Sequence, residues 1–138
     1  VARKALIIAR EIGMKLEMSE IALAGLVTPE LMSLPSVSAF MEALPSLDAP
    51  MAERVETARR NSAVLRFVAE IQPSSVDVGL REVPLSSPLA QLDGPDNLLV
   101  FRSERYHANP LVIRGPGAGA EVTAAGVYGD ILKIGRGL

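Results

Sequence analysis

Apolar residues recur every three or four positions in the first half of the chain and every two in much of the second. Val1, Ala5, Ile8 and Ile12 fall on one helical stripe, and Leu6, Ile7 and Ala9 carry apolar surface nearly all round. That pattern predicts a helix over residues 1–12, buried on more than one side. Gly13 follows it at the position just past a helix end. Residues 14–28 read as a connector, with a short strand or turn at 19–23. Thr28 and Pro29 open a brief helix over 30–34. Ser36 caps a helix over 37–44, where Val37, Phe40, Met41 and Leu44 share a face. Asp48 caps a charged, solvent-facing helix reaching about residue 60.

The period then changes to two. Residues 63–71 and 76–83 alternate apolar and polar side chains around Gln72-Pro73-Ser74-Ser75, which predicts an antiparallel hairpin. Residues 84–94 form a loop with a single turn near Pro88–Leu92, and Asp93-Gly94-Pro95-Asp96-Asn97 carries strong turn chemistry. Two more strands follow at 98–103 and 110–114. A Gly-rich turn over 115–119 then leads into a helix over 120–134. Helices, four strands and a last helix predict an α+β fold: a mainly antiparallel sheet of about four strands, helices on one face.

Composition narrows the function. The 138 residues suit one domain, with 49% hydrophobic and 22% charged residues. A net charge of −2 with mixed signs disfavours broad binding to nucleic acid or anionic membranes. There is no cysteine and one histidine, His107, so a metal site would need carboxylate ligands almost alone. No apolar run reaches membrane-spanning length and no signal segment is visible, so the expected compartment is the cytoplasm. The first residues enter helical periodicity with neither Met nor a capping residue, as expected of one piece of a longer protein.

Two places could carry chemistry. Gly115, Gly117 and Ala120 fit the G-x-G-x-x-G/A spacing of a dinucleotide turn, where small residues admit a phosphate to the backbone and the helix N-terminus offers N–H groups. A close strand–helix junction would need the same small residues for packing alone. Lys4 shares the face of Val1 and Ile8. A lysine on an apolar face either snorkels to its edge or serves as a desolvated acid or base. His107 reads as a surface loop residue and Glu53, Glu56, Glu70, Asp77 and Glu82 as a solvated face. Asp93 and Asp96 fix a turn. Glu121 suits the positive end of the last helix but opposes a phosphate there.

Several stretches together resemble homoserine dehydrogenase: Val1-Ala2-Arg3-Lys4, Val64-Leu65-Arg66-Phe67, Pro88-Leu89-Ala90-Gln91-Leu92 with Gly94 and Asp96-Asn97, Arg105-Tyr106, and Gly115-Pro116-Gly117-Ala118-Gly119-Ala120 through Val127. The likeness runs in order over essentially the whole chain. It is nearest the bifunctional aspartokinase–homoserine dehydrogenases and the fungal single-function enzymes. The resemblance implies that residues 1–138 are the catalytic and dimerisation domain, with 115–138 returning to a Rossmann domain that lies outside this chain. It implies an NADP- or NAD-dependent interconversion of L-aspartate 4-semialdehyde and L-homoserine in threonine and methionine biosynthesis. Lys4 falls on the family's acid/base lysine and Gly119 on a position that contacts the nucleotide. The implied partners are the small-molecule substrate, the missing Rossmann domain, and a second copy paired through the antiparallel sheet. The alternative is that the chain by itself is a non-catalytic dimerisation module. Ser87-Pro88-Leu89 departs from the His-Pro-Phe often found in relatives, which touches local packing. A regulatory ACT domain after Leu138 is not expected.

Overall fold

The computed structural model describes residues 1–94 and 96–137. Pro95, part of the predicted turn at 93–97, lies outside them. The chain divides into two compact units, Val1–Leu85 and Ser86–Leu138.

In the first unit, helix α1 (Ala2–Glu11) lies against strands β2 (Ala63–Gln72) and β3 (Ser75–Pro84). Gly13 ends it as the sequence suggests. Its φ of 95° is left-handed, the Gly13 N–H donates to the Arg10 carbonyl, and the Met14 N–H donates to the Ala9 carbonyl at 3.0 Å. This is a Schellman closure, which glycine adopts without a Cβ penalty. The buried face differs from the predicted stripe. Ala5 and Ala9 are buried, with Ala2 and Leu6 beside them, while Val1, Ile7 and Ile12 are exposed. Alanines hold the face because a helix lying close on a sheet has no room for longer side chains there. The core joins Ala5 and Ala9 to Ile21, Val76 and Val78, with Phe67, Ala69 and Ile71 packed around them. Those five hairpin residues share one face, since Ile71 stands opposite Val76 and Ala69 opposite Val78.

The hairpin turns through Pro73-Ser74, with Gln72 opposite Ser75. Its two strands are each ten residues long. On the far side of β3, the two-residue strand β1 (Ala22–Leu23) pairs in parallel, Ala22 opposite Asp77 and Leu23 opposite Val78. The Ala24 N–H continues that edge by donating to the Val78 carbonyl at 2.8 Å. The order β1-β3-β2 therefore leaves the outer side of β2 unpaired within this sheet.

Between β1 and β2 lie α2 (Pro29–Met32), α3 (Val37–Ala43), a 3-10 turn at Leu44–Leu47 and α4 (Asp48–Arg60). Ser36 caps α3, its Oγ accepting from the Ala39 N–H at 3.1 Å. Val37 and Met41 of the predicted stripe are exposed, because this seven-residue helix rests on α2 and the 3-10 turn and not on the sheet. Helix α4 is less solvent-facing than its charges suggest. It runs along β2 with Ala58 buried and Met51, Val55 and Thr57 half-buried. Asn61 at its end donates to Glu82 Oε2 at 3.0 Å, tying the helix to β3.

The second unit contains β4 (Asp96–Phe101) and β5 (Leu111–Pro116), an antiparallel ribbon running from Asp96 opposite Pro116 to Phe101 opposite Leu111. A 3-10 turn, Pro88–Gln91, packs beside β4, and Ser87 caps it by accepting from the Leu89 N–H. Helix α5 (Ala120–Gly135) ends the unit. The fold is α+β with mostly antiparallel pairing, as predicted, but the strands fall into a three-stranded sheet and a separate ribbon.

Candidate functional site

Lys4 sits in the first turn of α1 and is exposed. Residues three and four apart share a helix face, so Lys4 stands with Val1, Ile7 and Ile8. Val1 and Ile7 are also exposed, Ile7 at 61%. The other side of the same helix carries Ala5, at 2%, and Ala9, at 0%. The helix is thus fixed from below by the core, with Lys4 on an exposed side of it beside Val1 and Ile7. Burial of Lys4, one of the two sequence readings, is not supplied by the described residues of this chain.

The Gly-rich turn lies in the second unit. The strand before it is longer than expected and runs through Gly115 to Pro116, so Gly115 is a ladder residue opposite Asn97 and not a turn residue. The turn proper is Gly117–Gly119. Gly119 is the N-cap of α5 with φ 127° and ψ 156°. That backbone region is essentially restricted to glycine. A Cβ at Gly119 would meet nothing within 4 Å, so its backbone alone fixes the residue type and the space beside it is open. Gly117 is different. Its φ is not left-handed, but a Cβ there would fall on the side-chain amide of Asn97. Gly119 is thus fixed by its backbone, while a side chain at 117 would displace the Asn97 amide.

No side chain caps α5, so its first N–H groups are left facing the turn. Glu121 is in that first turn, where it opposes an anion. All the large apolar side chains of α5 are exposed, Ile134 at 79% and Ile131 at 59%. A backbone contact to a phosphate or ribose fits this turn. A hold on a whole dinucleotide does not fit, since the described residues of the turn supply no acidic ribose partner and no basic side chain.

The remaining candidates are structural. His107 is exposed in the loop between β4 and β5. Asp93 Oδ1 accepts from the Gly94 N–H at 2.9 Å, and Asp96 pairs with Arg114. Among the described residues no group of three His, Asp or Glu side chains is placed to hold a metal ion. Among the described residues no helix is long and apolar enough to cross a membrane. Two shallow depressions of about 530 and 330 Å³ lie near Met14–Glu20, and neither includes Lys4 or the turn. Asn97 was not legible as a partner of the turn: its place beside Gly117 depends on the β4–β5 register, which no local pattern specifies.

Comparison with known proteins gives a consistent result. The family model for homoserine dehydrogenase matches residues 1–132. A bifunctional aspartokinase/homoserine dehydrogenase 2, chloroplastic, from Zea mays is 45% identical over 136 residues, covering 97% of this chain and 15% of that protein. The crystal structure of a Candida auris protein of unknown function superposes with a TM-score of 0.87 at 40% identity, over 98% of this chain and 38% of that one. A putative homoserine dehydrogenase from Archaeoglobus fulgidus gives 0.66 at 27% identity, over 96% and 34%. The chain therefore spans well under half the length of each of these proteins.

Proposed function

Because the chain belongs to the homoserine dehydrogenase family, we propose that it supplies the catalytic and dimerisation part of an NAD(P)-dependent homoserine dehydrogenase of the bifunctional aspartokinase type. The reaction interconverts L-aspartate 4-semialdehyde and L-homoserine. When bound, the nicotinamide cofactor supplies or accepts the hydride. It is held mainly by a Rossmann domain outside these 138 residues, and residues 115–138 return to that domain. In the reducing direction Lys4 donates a proton from Nζ to the alkoxide that develops on the aldehyde oxygen. In the oxidising direction it takes the hydroxyl proton back. Gly119 lets the cofactor approach the backbone at the start of α5.

The observation that carries this reading is the two-sidedness of α1. Its alanine face is locked into the core while Lys4 stands on the opposite, uncovered side. An acid/base group must be held within a fraction of an ångström, and a helix packed on a sheet does that better than a loop. In the full-length enzyme Lys4→Ala is expected to lower kcat about a hundredfold or more, the scale of a lost acid/base group, while dinucleotide binding persists. A kcat within about threefold of wild type would remove Lys4 from that role.

A second reading concerns the chain alone. Among the described residues the outer edge of β2 has no strand neighbour; it is ten residues long and rich in apolar residues, the kind of edge that proteins cover by pairing. We propose that it pairs with a second copy, making the isolated chain a non-catalytic dimerisation module. A dehydrogenase assay and an NADPH titration on the 138 residues separate the two: turnover by the isolated chain would sink the second reading.

A further inference from the structure

We propose that Asn97 is a positioning residue for the nucleotide turn, setting the path of Gly117–Gly119 by occupying the space that a side chain at position 117 would take. The inference rests on the reading of Gly119 as a backbone contact to the nucleotide.

Three observations carry it. First, Asn97 lies on β4 directly opposite Gly115, two residues before Gly117, so it belongs to the last rungs of the ribbon before the chain leaves it. Second, its side-chain amide is so close to Gly117 that an added Cβ would coincide with it. Gly117 has no left-handed φ, so nothing in its own backbone demands glycine. What a side chain there would meet is the Asn97 amide, which would have to leave its place over the turn. Third, the same end of the ribbon is clamped by Asp96, whose Oδ2 accepts from Arg114 Nε at 2.9 Å, while Arg114 Nη2 reaches the Asp93 carbonyl at 3.5 Å. The rung that carries Asn97 is therefore not free to drift.

The consequence is a chain of fit. Asn97 can lie over the turn only if position 117 has no side chain. With Asn97 there, the backbone leaves β5 along one path and arrives at Gly119 in the extended, positive-φ conformation that starts α5. Asn97 itself touches neither substrate nor reacting atoms. Its effect on the enzyme passes through the turn, so it should appear in nucleotide binding and not in the proton-transfer step.

The experiment compares four variants of the full-length enzyme, reading KM for the dinucleotide, KM for homoserine and kcat. Gly117→Ala is expected to raise the dinucleotide KM about tenfold, with kcat and the homoserine KM within about twofold of wild type. Asn97→Gly is expected to raise it by about threefold, because the turn loses its brace. The double variant Gly117→Ala/Asn97→Gly decides the matter. If Asn97 sets the space at position 117, removing its side chain relieves the intrusion, and the double variant falls to the level of Asn97→Gly alone. Additive losses, or a Gly117→Ala enzyme with an unchanged dinucleotide KM, overturn the proposal. Gly119→Ala is the control for the underlying reading. If it leaves the dinucleotide KM unchanged, the contact at Gly119 is wrong. If it raises that KM while the Asn97 and Gly117 variants do not, only the positioning role fails. Circular dichroism on each variant identifies any loss that comes from unfolding.

Discussion

Arg114 and Asp96 bridge the β4–β5 ribbon on a diagonal: Asp96 stands opposite Pro116 and Arg114 opposite Leu98, yet Arg114 Nε donates to Asp96 Oδ2 at 2.9 Å. Both side chains are partly exposed, at 44% and 27%. Solvent screens such a pair, so a double-mutant cycle of Asp96→Asn and Arg114→Gln should give a coupling of about 0.5–1 kcal/mol by urea unfolding, weaker at high salt. A coupling that ignored salt would mean that the pair is shielded from water.

Ala9 is fully buried beneath α1, within a core of Ile21, Val76 and Val78. A larger side chain there has nowhere to go without lifting the helix off the hairpin. Ala9→Leu is expected to destabilise the fold by about 1–3 kcal/mol. Ile7→Ala, on the exposed side of the same helix, is expected to stay within about 0.5 kcal/mol in this chain. Equal effects at the two sites would contradict the assignment of the buried face.

Ser62 follows α4 with φ 52°, the one described non-glycine residue in the left-handed region. Its N–H donates to the Arg59 carbonyl at 3.0 Å, closing the helix end in the manner of Gly13. A left-handed conformation strains any residue with a Cβ, although glycine gives back part of the gain through its unfolded-state entropy. Ser62→Gly should raise stability by about 0.5–1 kcal/mol, seen as a higher Tm with unchanged far-ultraviolet dichroism.

Glu30 titrates below the ordinary glutamate value of 4.5, first because its carboxylate accepts from its own backbone N–H and second because the Thr28 hydroxyl donates to it. A depressed folded-state value stabilises the fold above the ordinary pKa, and that contribution is lost as pH falls through the folded value. Following the Glu30 carboxyl carbon by NMR across acid pH should show the low midpoint. Thr28→Val should move it upward, and a midpoint at or above 4.5 in the wild type would refute the arrangement.

Local chemistry was legible where one or two residues decide the geometry. Gly13 announces the end of α1, Ser36 announces the start of α3, and the alternation around Pro73-Ser74 announces the hairpin. The family likeness pointed to Lys4 and Gly119 through order along the chain. What could not be read depended on partners distant in sequence. The buried side of α1 was hidden because its contact residues are alanines, which weigh little in a hydrophobic pattern beside Ile7 and Ile12. Gly115 looked like a turn glycine because its spacing to Gly117 fits the fingerprint, while its place in the ladder opposite Asn97 is a matter of register. The division of the strands into a sheet and a ribbon likewise rests on which edges meet, and no strand pattern encodes that.

The parallel pairing of β1 with β3 bears on the order in which the first unit assembles and loosens. The β2–β3 hairpin closes through two residues, so it forms early and at small entropic expense. The edge that β1 joins does not exist until that hairpin is present, and the chain between them holds α2, α3 and α4. Among the described residues, Ala22, Leu23 and the Ala24 N–H make the backbone pairing along that edge. The segment around Ile21 is therefore expected to dock after the hairpin and to open before it. Because Ile21 also sits in the core under α1, such an opening would expose the underside of the helix that bears Lys4.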